Sequence, residues 1–182
     1  MKRNIISVLL VLFCFILQTS VLPAAAFSSI MPNLLIILIA SCGFMNGEKN
    51  GLLIGFFCGL LADIFGGDVI GFYALLYMVV GYVNGTFQRM FYPEDIKLPL
   101  ILILVSDIGY NFVCYVLLFL LRSRLDLHSF PTRRSSDLDI GYYFIHVILP
   151  EAVYTIVIAF AVYPLLLLLH KKLEAAERRS NE

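Results

Sequence analysis

Long apolar stretches, separated by short polar connections, constrain the fold of this 182-residue chain more than any other feature. A helix needs about 20 mostly apolar residues to cross the hydrocarbon core of a bilayer. Six stretches approach that length, and we expect each of them to be one membrane span. In chain order they cover residues 4–22, 33–45, 51–65, 69–87, 98–121 and 142–169. The sequence therefore predicts an all-α, polytopic membrane protein with a six-helix domain over residues 1–170.

The composition excludes an ordinary soluble domain. Hydrophobic residues make up 60% of the chain and charged residues 14%, and the mean hydropathy is +0.90. Soluble domains are usually about half apolar and about a quarter charged, and a chain this short could not hide so much apolar surface in one core. The net charge is zero, so bulk electrostatics predict no nucleic-acid partner.

Three of the apolar stretches depart from a simple crossing. The second and third are shorter than a straight span requires, so they either thin the bilayer locally or lie inside the bundle. The first follows Lys2 and Arg3 and resembles a signal peptide, with a cleavage-like run of alanines after it. Because its apolar run is prolonged to Leu22 and further spans follow, we expect an uncleaved anchor.

The distribution of Lys and Arg predicts the orientation, since cytoplasmic segments are enriched in these residues. With the N-terminus inside and six spans, nine of the 13 basic residues fall in cytoplasmic segments. The other four lie in one outer loop: Arg122, Arg124, Arg133 and Arg134. We therefore expect both termini to be cytoplasmic, with residues 171–182 forming a charged tail. We expect the protein to be located in the bacterial inner membrane.

One part of that outer loop has an unexpected sequence. Residues 126–138 read DLHSFPTRRSSDL, which matches the translation of a widely used sequencing adapter at every position. We hypothesise that this stretch is an assembly artefact, inserted into or replacing the native loop, and we assign no function to its residues. The alternative is a genuine polar loop, and an uninterrupted native read of the source locus would establish it.

Recognisable catalytic machinery is lacking in the sequence. It has no G-x-S-x-G, H-E-x-x-H, phosphate-binding loop or C-x-x-C motif, and its three histidines are scattered. Four cysteines sit in apolar runs without metal-ligand spacing, and we interpret them as small hydrophobes: Cys14, Cys42, Cys58 and Cys114. We expect no enzyme activity, no cofactor and no metal.

Small residues at a spacing of four form a row on the third and fourth helices. Gly51, Gly55 and Gly59 lie on one helical face, and Asp63 continues it. On the fourth helix, Gly81 and Gly85 extend a similar row that begins with two tyrosines. Such rows permit close contact between helices. These rows either pack helices within the bundle or receive a helix of a partner protein. If they only pack internally, we expect Asp63→Ala to have a mild effect on the level of folded protein.

Three polar residues lie well inside the last two spans. Asp107 and Asn111 share one face of the fifth helix, and Glu151 lies in the sixth. Carboxyl groups are costly in lipid and usually face the bundle interior. We interpret the three as a polar cluster that fixes helix register, with a proton or substrate path as the alternative. Asp63 is nearer a helix end, where we expect water to reach it. We interpret it either as an interfacial or capping carboxylate or as a functional group.

Several segments in order resemble those of the rod shape-determining protein MreD family. They are LQTSVLP (Leu17–Pro23), MPNLLIIL (Met31–Leu38), GEKNGLLIGFFCGLLADIFGG (Gly47–Gly67) and IGFYALLYMVVGYVNG (Ile70–Gly85). The resemblance is strong over the first half and rests mainly on hydropathy, length and the charged tail in the second.

The resemblance implies a scaffold subunit of the bacterial cell-elongation machinery, which helps to place lateral peptidoglycan synthesis. It implies contact with membrane lipid and association with four protein partners: MreC, MreB, RodA and a penicillin-binding protein. The six-span layout also resembles the substrate-binding subunits of vitamin transporters, which gives a second hypothesis. Stoichiometry and oligomeric state stay open.

Overall fold

The computed structural model describes residues 2–22, 31–66, 71–90, 96–124, 141 and 144–180. The suspected adapter stretch, 126–138, lies outside these residues. The described chain forms six helices, which confirms the all-helical class. They are α1 (Lys2–Ile16, prolonged by a π-helical turn, Leu17–Val21), α2 (Leu34–Asn46), α3 (Glu48–Gly66), α4 (Phe72–Thr86, followed by a 3-10 turn, Phe87–Met90), α5 (Lys97–Arg124) and α6 (Leu149–Ser180, preceded by a π-helical turn, Phe144–Ile148).

Helix α2 forms the centre of the bundle. Twelve of its 13 residues, Leu34 to Met45, are buried, and it contacts each of the other five helices. A helix that is apolar on every side is stable only when it is surrounded, since it has no polar face to leave outside. At about 1.5 Å per residue α2 is about 20 Å long. Its short length is therefore accommodated inside the bundle, one of the two expected arrangements.

Helix α3 is longer than the sequence pattern indicates. The sequence predicts a span over 51–65 and a loop for the polar residues before it, but the helix already begins at Glu48. Gly47 alone connects α2 to α3, at a φ of 88° that is unfavourable for residues with a side chain. Glu48 in the first turn also suits the positive end of the helix dipole. The 19 residues of α3 therefore reach about 28 Å.

Three segments of the described chain have the length and apolar character needed to cross a bilayer. They are Glu48–Gly66, Lys97–Leu117 and Phe144–Leu173. Large apolar side chains on the outer faces of the bundle are more than half exposed, among them Phe65, Leu75, Val105 and Phe160. Such a surface is a liability in water and is the expected one against lipid tails.

Candidate functional site

The glycine row of α3 packs directly against the backbone of α4. A Cβ atom placed on Gly51, Gly55 or Gly59 would lie closer than 3.0 Å to main-chain atoms of α4. The atoms met are the carbonyl oxygens of Gly81 and Tyr77 and the Cα of Ala74. Real Cβ atoms do not approach backbone this closely, so any side chain at these positions would push the two helices apart. The row is occupied by α4 and leaves no space for a helix of another protein.

The glycines of α4 complete this contact from the other side. A Cβ on Gly81 would meet the carbonyl oxygen of Gly51, and one on Gly85 would meet the Cα of Glu48. Gly43 of α2, which the sequence interpretation missed, also belongs here, since a Cβ on it would lie 2.7 Å from the carbonyl oxygen of Gly81. The missed signal was the spacing of four, which runs without interruption from Gly43 through residue 47 to the α3 row.

Asp63 caps the N-terminus of α4 from the end of α3. Its carboxylate accepts hydrogen bonds from the backbone N–H groups of Gly71 (3.0 Å), Tyr73 (2.9 Å) and Ala74 (3.0 Å). The first N–H groups of a helix have no intrahelical acceptor, and a negative charge there also suits the helix dipole. The residue is only 2% exposed, so the expectation that water reaches Asp63 is wrong. The three N–H donors replace that water.

The three predicted intramembrane polar residues lie together between α5 and α6. The side-chain amide of Asn111 donates to the backbone carbonyl of Asp107 at 3.2 Å, one turn earlier on α5. The Glu151 carboxyl on α6 accepts a hydrogen bond from the Asn111 side chain and is near enough to Asp107 for the two carboxyl groups to repel each other when charged. Asp107 is fully buried and also lies against Thr155. We call these four residues, Asp107, Asn111, Glu151 and Thr155, the polar centre.

The polar centre is connected to the N-terminus of the central helix α2. The backbone N–H of Asn33 donates to the Thr155 hydroxyl at 3.2 Å, and the Asn33 side chain accepts from the Ile36 N–H at 3.2 Å. The Gln18 side chain, on the π-helical turn after α1, accepts from the Leu35 N–H at 3.0 Å. Sequence reasoning missed Gln18, Asn33 and Thr155 as site residues, although each is a polar residue within or beside an apolar segment.

A second missed polar contact joins α4 to α5. The Asn84 side-chain amide donates to the Ser106 hydroxyl at 2.7 Å and to the Val80 carbonyl at 2.8 Å. Nearby, the rings of Tyr77 and Tyr110 stack with a centroid distance of 4.9 Å. Together these contacts tie α5 to the α3–α4 pair on one side, while the polar centre ties it to α6 on the other.

Nothing in the described residues brings together three or more side chains of the kind that hold a metal ion. Their four cysteines are free thiols, three of them buried. One groove that they line, of about 220 Å³, lies between α1 and α3 and is lined mainly by leucines, valines and isoleucines. The arrangement is suited to packing helices and to contact with lipid.

A bundle of six helices with a short buried central helix and apolar outer faces defines a polytopic α-helical membrane protein. A family model described as rod shape-determining protein MreD matches residues 2–173, and the chain belongs to that family. The match extends well beyond the half in which the resemblance was strong. The family is membrane-bound and non-enzymatic, which agrees with the expected class. Comparison with curated proteins and with solved structures gave no match.

Proposed function

We propose that this chain is a non-catalytic scaffold subunit of the bacterial cell-elongation complex, where it helps to position lateral peptidoglycan synthesis. The observation that carries this proposal is the family match over residues 2–173. The geometry supports it, because α2, α3 and α4 pack directly against one another through their backbones. Binding surface is instead offered on the outer faces, where apolar side chains such as Phe57, Leu75 and Phe160 are exposed.

The second hypothesis, a substrate-binding transporter subunit, requires a cavity lined by polar groups and large enough for a vitamin. The grooves described between helices have apolar linings instead. The polar residues singled out for such a role are Asp107, Asn111 and Glu151, and they interact with one another and with Thr155. The described residues therefore favour the scaffold.

The proposed arrangement places all six helices in the cytoplasmic membrane of a bacterium, with both termini inside. In this topology the α2–α3 turn and the end of α4 face the cytoplasm. Lys49 and Arg89, which are exposed, lie on that side. The Asp63 cap then lies on the periplasmic side, at the start of α4. The excess of Lys and Arg in the inner segments supports this orientation.

The proposed partners follow from membership in the family: MreC, MreB, RodA and a penicillin-binding protein, with lipid around the bundle. Because α4 covers the glycine row of α3, the row is not offered as their docking site. The outward faces of the helices are the available alternative. No nucleic-acid partner is proposed.

The proposed function is tested by deleting the gene in its rod-shaped host. We expect the cells to become round or swollen, and a plasmid copy should restore rods. Uptake of small molecules such as vitamins should be unchanged, because a scaffold carries no substrate. Normal rods after a clean deletion without a redundant copy would contradict the proposal, and lost uptake with normal shape would favour the transporter.

A further inference from the structure

The groove between α1 and α3 has one polar end and is apolar over the rest of its length. It has a volume of about 220 Å³, and its polar end is formed by Ser7, Asn46 and Asn50. At about 1.5 Å per residue, the part of α3 that lines it from Leu53 to Ile64 is about 17 Å long. One leaflet is about half of a hydrocarbon core that is about 30 Å thick. The apolar part of the groove therefore has about the depth of one leaflet. Its lining residues are Val8, Val11, Leu12, Leu53, Ile54, Phe57, Leu60, Leu61 and Ile64.

This lining does not suit a helix of another protein. Helices associate in membranes mainly through small residues, which let their backbones approach each other. Among the residues that line the groove only Ser7 is small, and the glycine row of α3 is covered by α4. A helix with its side chains is about 10–12 Å in diameter, so it would lie on the rim and leave the floor of the groove empty. A single hydrocarbon chain is narrow and flexible, and the lining therefore favours a lipid acyl chain.

Basic residues lie at the polar end of the groove. Lys49 is exposed and precedes Leu53 by one helical turn, which places both on the groove side of α3. On α1, Arg3 precedes Ser7 by one turn in the same way. The neighbouring acidic residue, Glu48, lies on another side of α3, where its Cα is against α4. The charge at the polar end is therefore complementary to an anionic head group.

We propose that the groove between α1 and α3 binds one anionic phospholipid. An acyl chain would lie against the apolar lining, with the phosphate at the end where Lys49 and Arg3 are placed. The hydroxyl of Ser7 and the side-chain amides of Asn46 and Asn50 can donate hydrogen bonds to the ester oxygens between them. In the proposed orientation this lipid belongs to the cytoplasmic leaflet, whose anionic head groups attract basic residues.

The lipid site does not depend on the scaffold role, and it uses the proposed orientation only to name the leaflet. Binding is measured on the purified full chain in detergent, where neither the orientation nor cell shape enters. The two proposals can therefore fail separately.

The test is native mass spectrometry with phosphatidylglycerol and phosphatidylcholine in competition. The two lipids carry the same acyl chains, so a preference between them reports on the head group. We expect one phosphatidylglycerol to be retained in preference to phosphatidylcholine. Lys49→Gln should reduce this preference about fivefold, which corresponds to about 1 kcal/mol for one basic residue at the membrane surface. Lys97→Gln, at an exposed lysine that begins α5, should leave it unchanged.

A second pair of variants tests the apolar part of the groove. Leu60→Trp places a large ring in the groove and should abolish retention of phosphatidylglycerol. Leu75→Trp, on the exposed face of α4, should not affect it. Because Lys49 and Lys97 are exposed, their variants should fold even if Leu60→Trp does not, and the lysine pair then decides.

Three results would overturn the proposal. They are equal retention of the two lipids by the unaltered chain, an equal loss of preference in the two lysine variants, and undiminished retention in a folded Leu60→Trp variant. A fourth comes from a photoreactive amino acid placed at Leu53 in the membranes of the host. We expect it to cross-link to phospholipid, whereas a predominant cross-link to one protein would assign the groove to a partner helix.

Discussion

Asp63 shows at the scale of one residue how a carboxylate is tolerated inside a membrane bundle. The row of small residues placed it on the correct face of α3, but spacing alone does not reveal that a second helix begins within hydrogen-bonding distance. Its three N–H partners belong to residues 71–74, on the far side of the connection between α3 and α4. A capping role was one of the two interpretations that the sequence allowed, but only the packing of the two helices shows that the N-terminus of α4 is the group capped.

Replacing Asp63 with Ala should destabilise the protein, contrary to the mild effect expected from internal packing alone. Three buried or half-buried N–H groups would lose their acceptor, which costs about 1–2 kcal/mol for a helix cap. Asp63→Asn keeps one acceptor oxygen and should lose less. The measurement is the unfolding temperature in detergent. Glu48→Ala, at an exposed carboxylate on the same helix, serves as the control, and an equal loss in both alanine variants would contradict the cap.

The glycines allow a matched comparison between positions that differ only in their surroundings. Gly59→Ala places a methyl group against the backbone of Ala74 and should cost about 1–3 kcal/mol through overpacking. Gly109 on α5 has no atom within 4 Å of an added Cβ. Gly109→Ala should therefore be neutral or stabilise by about 0.4–1 kcal/mol, because Ala is the better helix former. The two variants are compared by membrane abundance and by unfolding temperature.

The opposite ranking of these two variants would show that α3 and α4 are not in direct backbone contact. Gly59→Leu should have a larger effect than Gly59→Ala, since its side chain cannot be accommodated without separating the helices. Normal abundance of the Leu variant would mean that the row faces lipid.

At the scale of elements, the sequence predicted where helices lie better than where they begin. The apolar stretches coincide with helices because lipid requires every backbone group to be paired within the segment. The start of α3 was missed because Glu48, Lys49 and Asn50 are polar and resemble a loop. A single glycine with positive φ is a sufficient turn, and three polar residues can then occupy the first helical turn at the membrane surface.

The role of Asn33 as the cap of the buried helix α2 can be tested by mutation. Asn33→Ala removes the side-chain oxygen that accepts from the Ile36 N–H, and we expect a loss of about 1 kcal/mol. Asn33→Ser can cap the same helix and should retain most of the stability. Thermal unfolding of both variants checks this expectation, and equal stability of the Ala and Ser variants would contradict it.

For the whole molecule, hydropathy gave the class, four segments in order gave the family resemblance, and the rows of small residues indicated close helix contacts without identifying α4 as the partner of α3. They could not show which helix lies in the centre, because every span is apolar and lipid removes the usual contrast between core and surface. The polar centre was partly predicted from Asp107, Asn111 and Glu151, while Thr155 and Gln18 required the packing of separate helices.

The orientation of the whole chain is tested by reporter fusions. Fusions at Lys49, at Pro93 and at the C-terminal tail should report a cytoplasmic location, because Lys and Arg are retained inside. Fusions near Ala25 and Asp68 should report a periplasmic one. A periplasmic tail would require an odd number of spans and would contradict the six-span arrangement.

The central position of α2 has a consequence for how the protein is made. It is the second helix to leave the ribosome, yet two of the helices that enclose it, α5 and α6, are synthesised last. With a length of about 20 Å, α2 is too short to span the hydrocarbon core on its own. Until its neighbours arrive, its ends have to be held by the insertion machinery or by the α3–α4 pair. The bundle is therefore completed only when α5 and α6, the last helices to be synthesised, pack around α2.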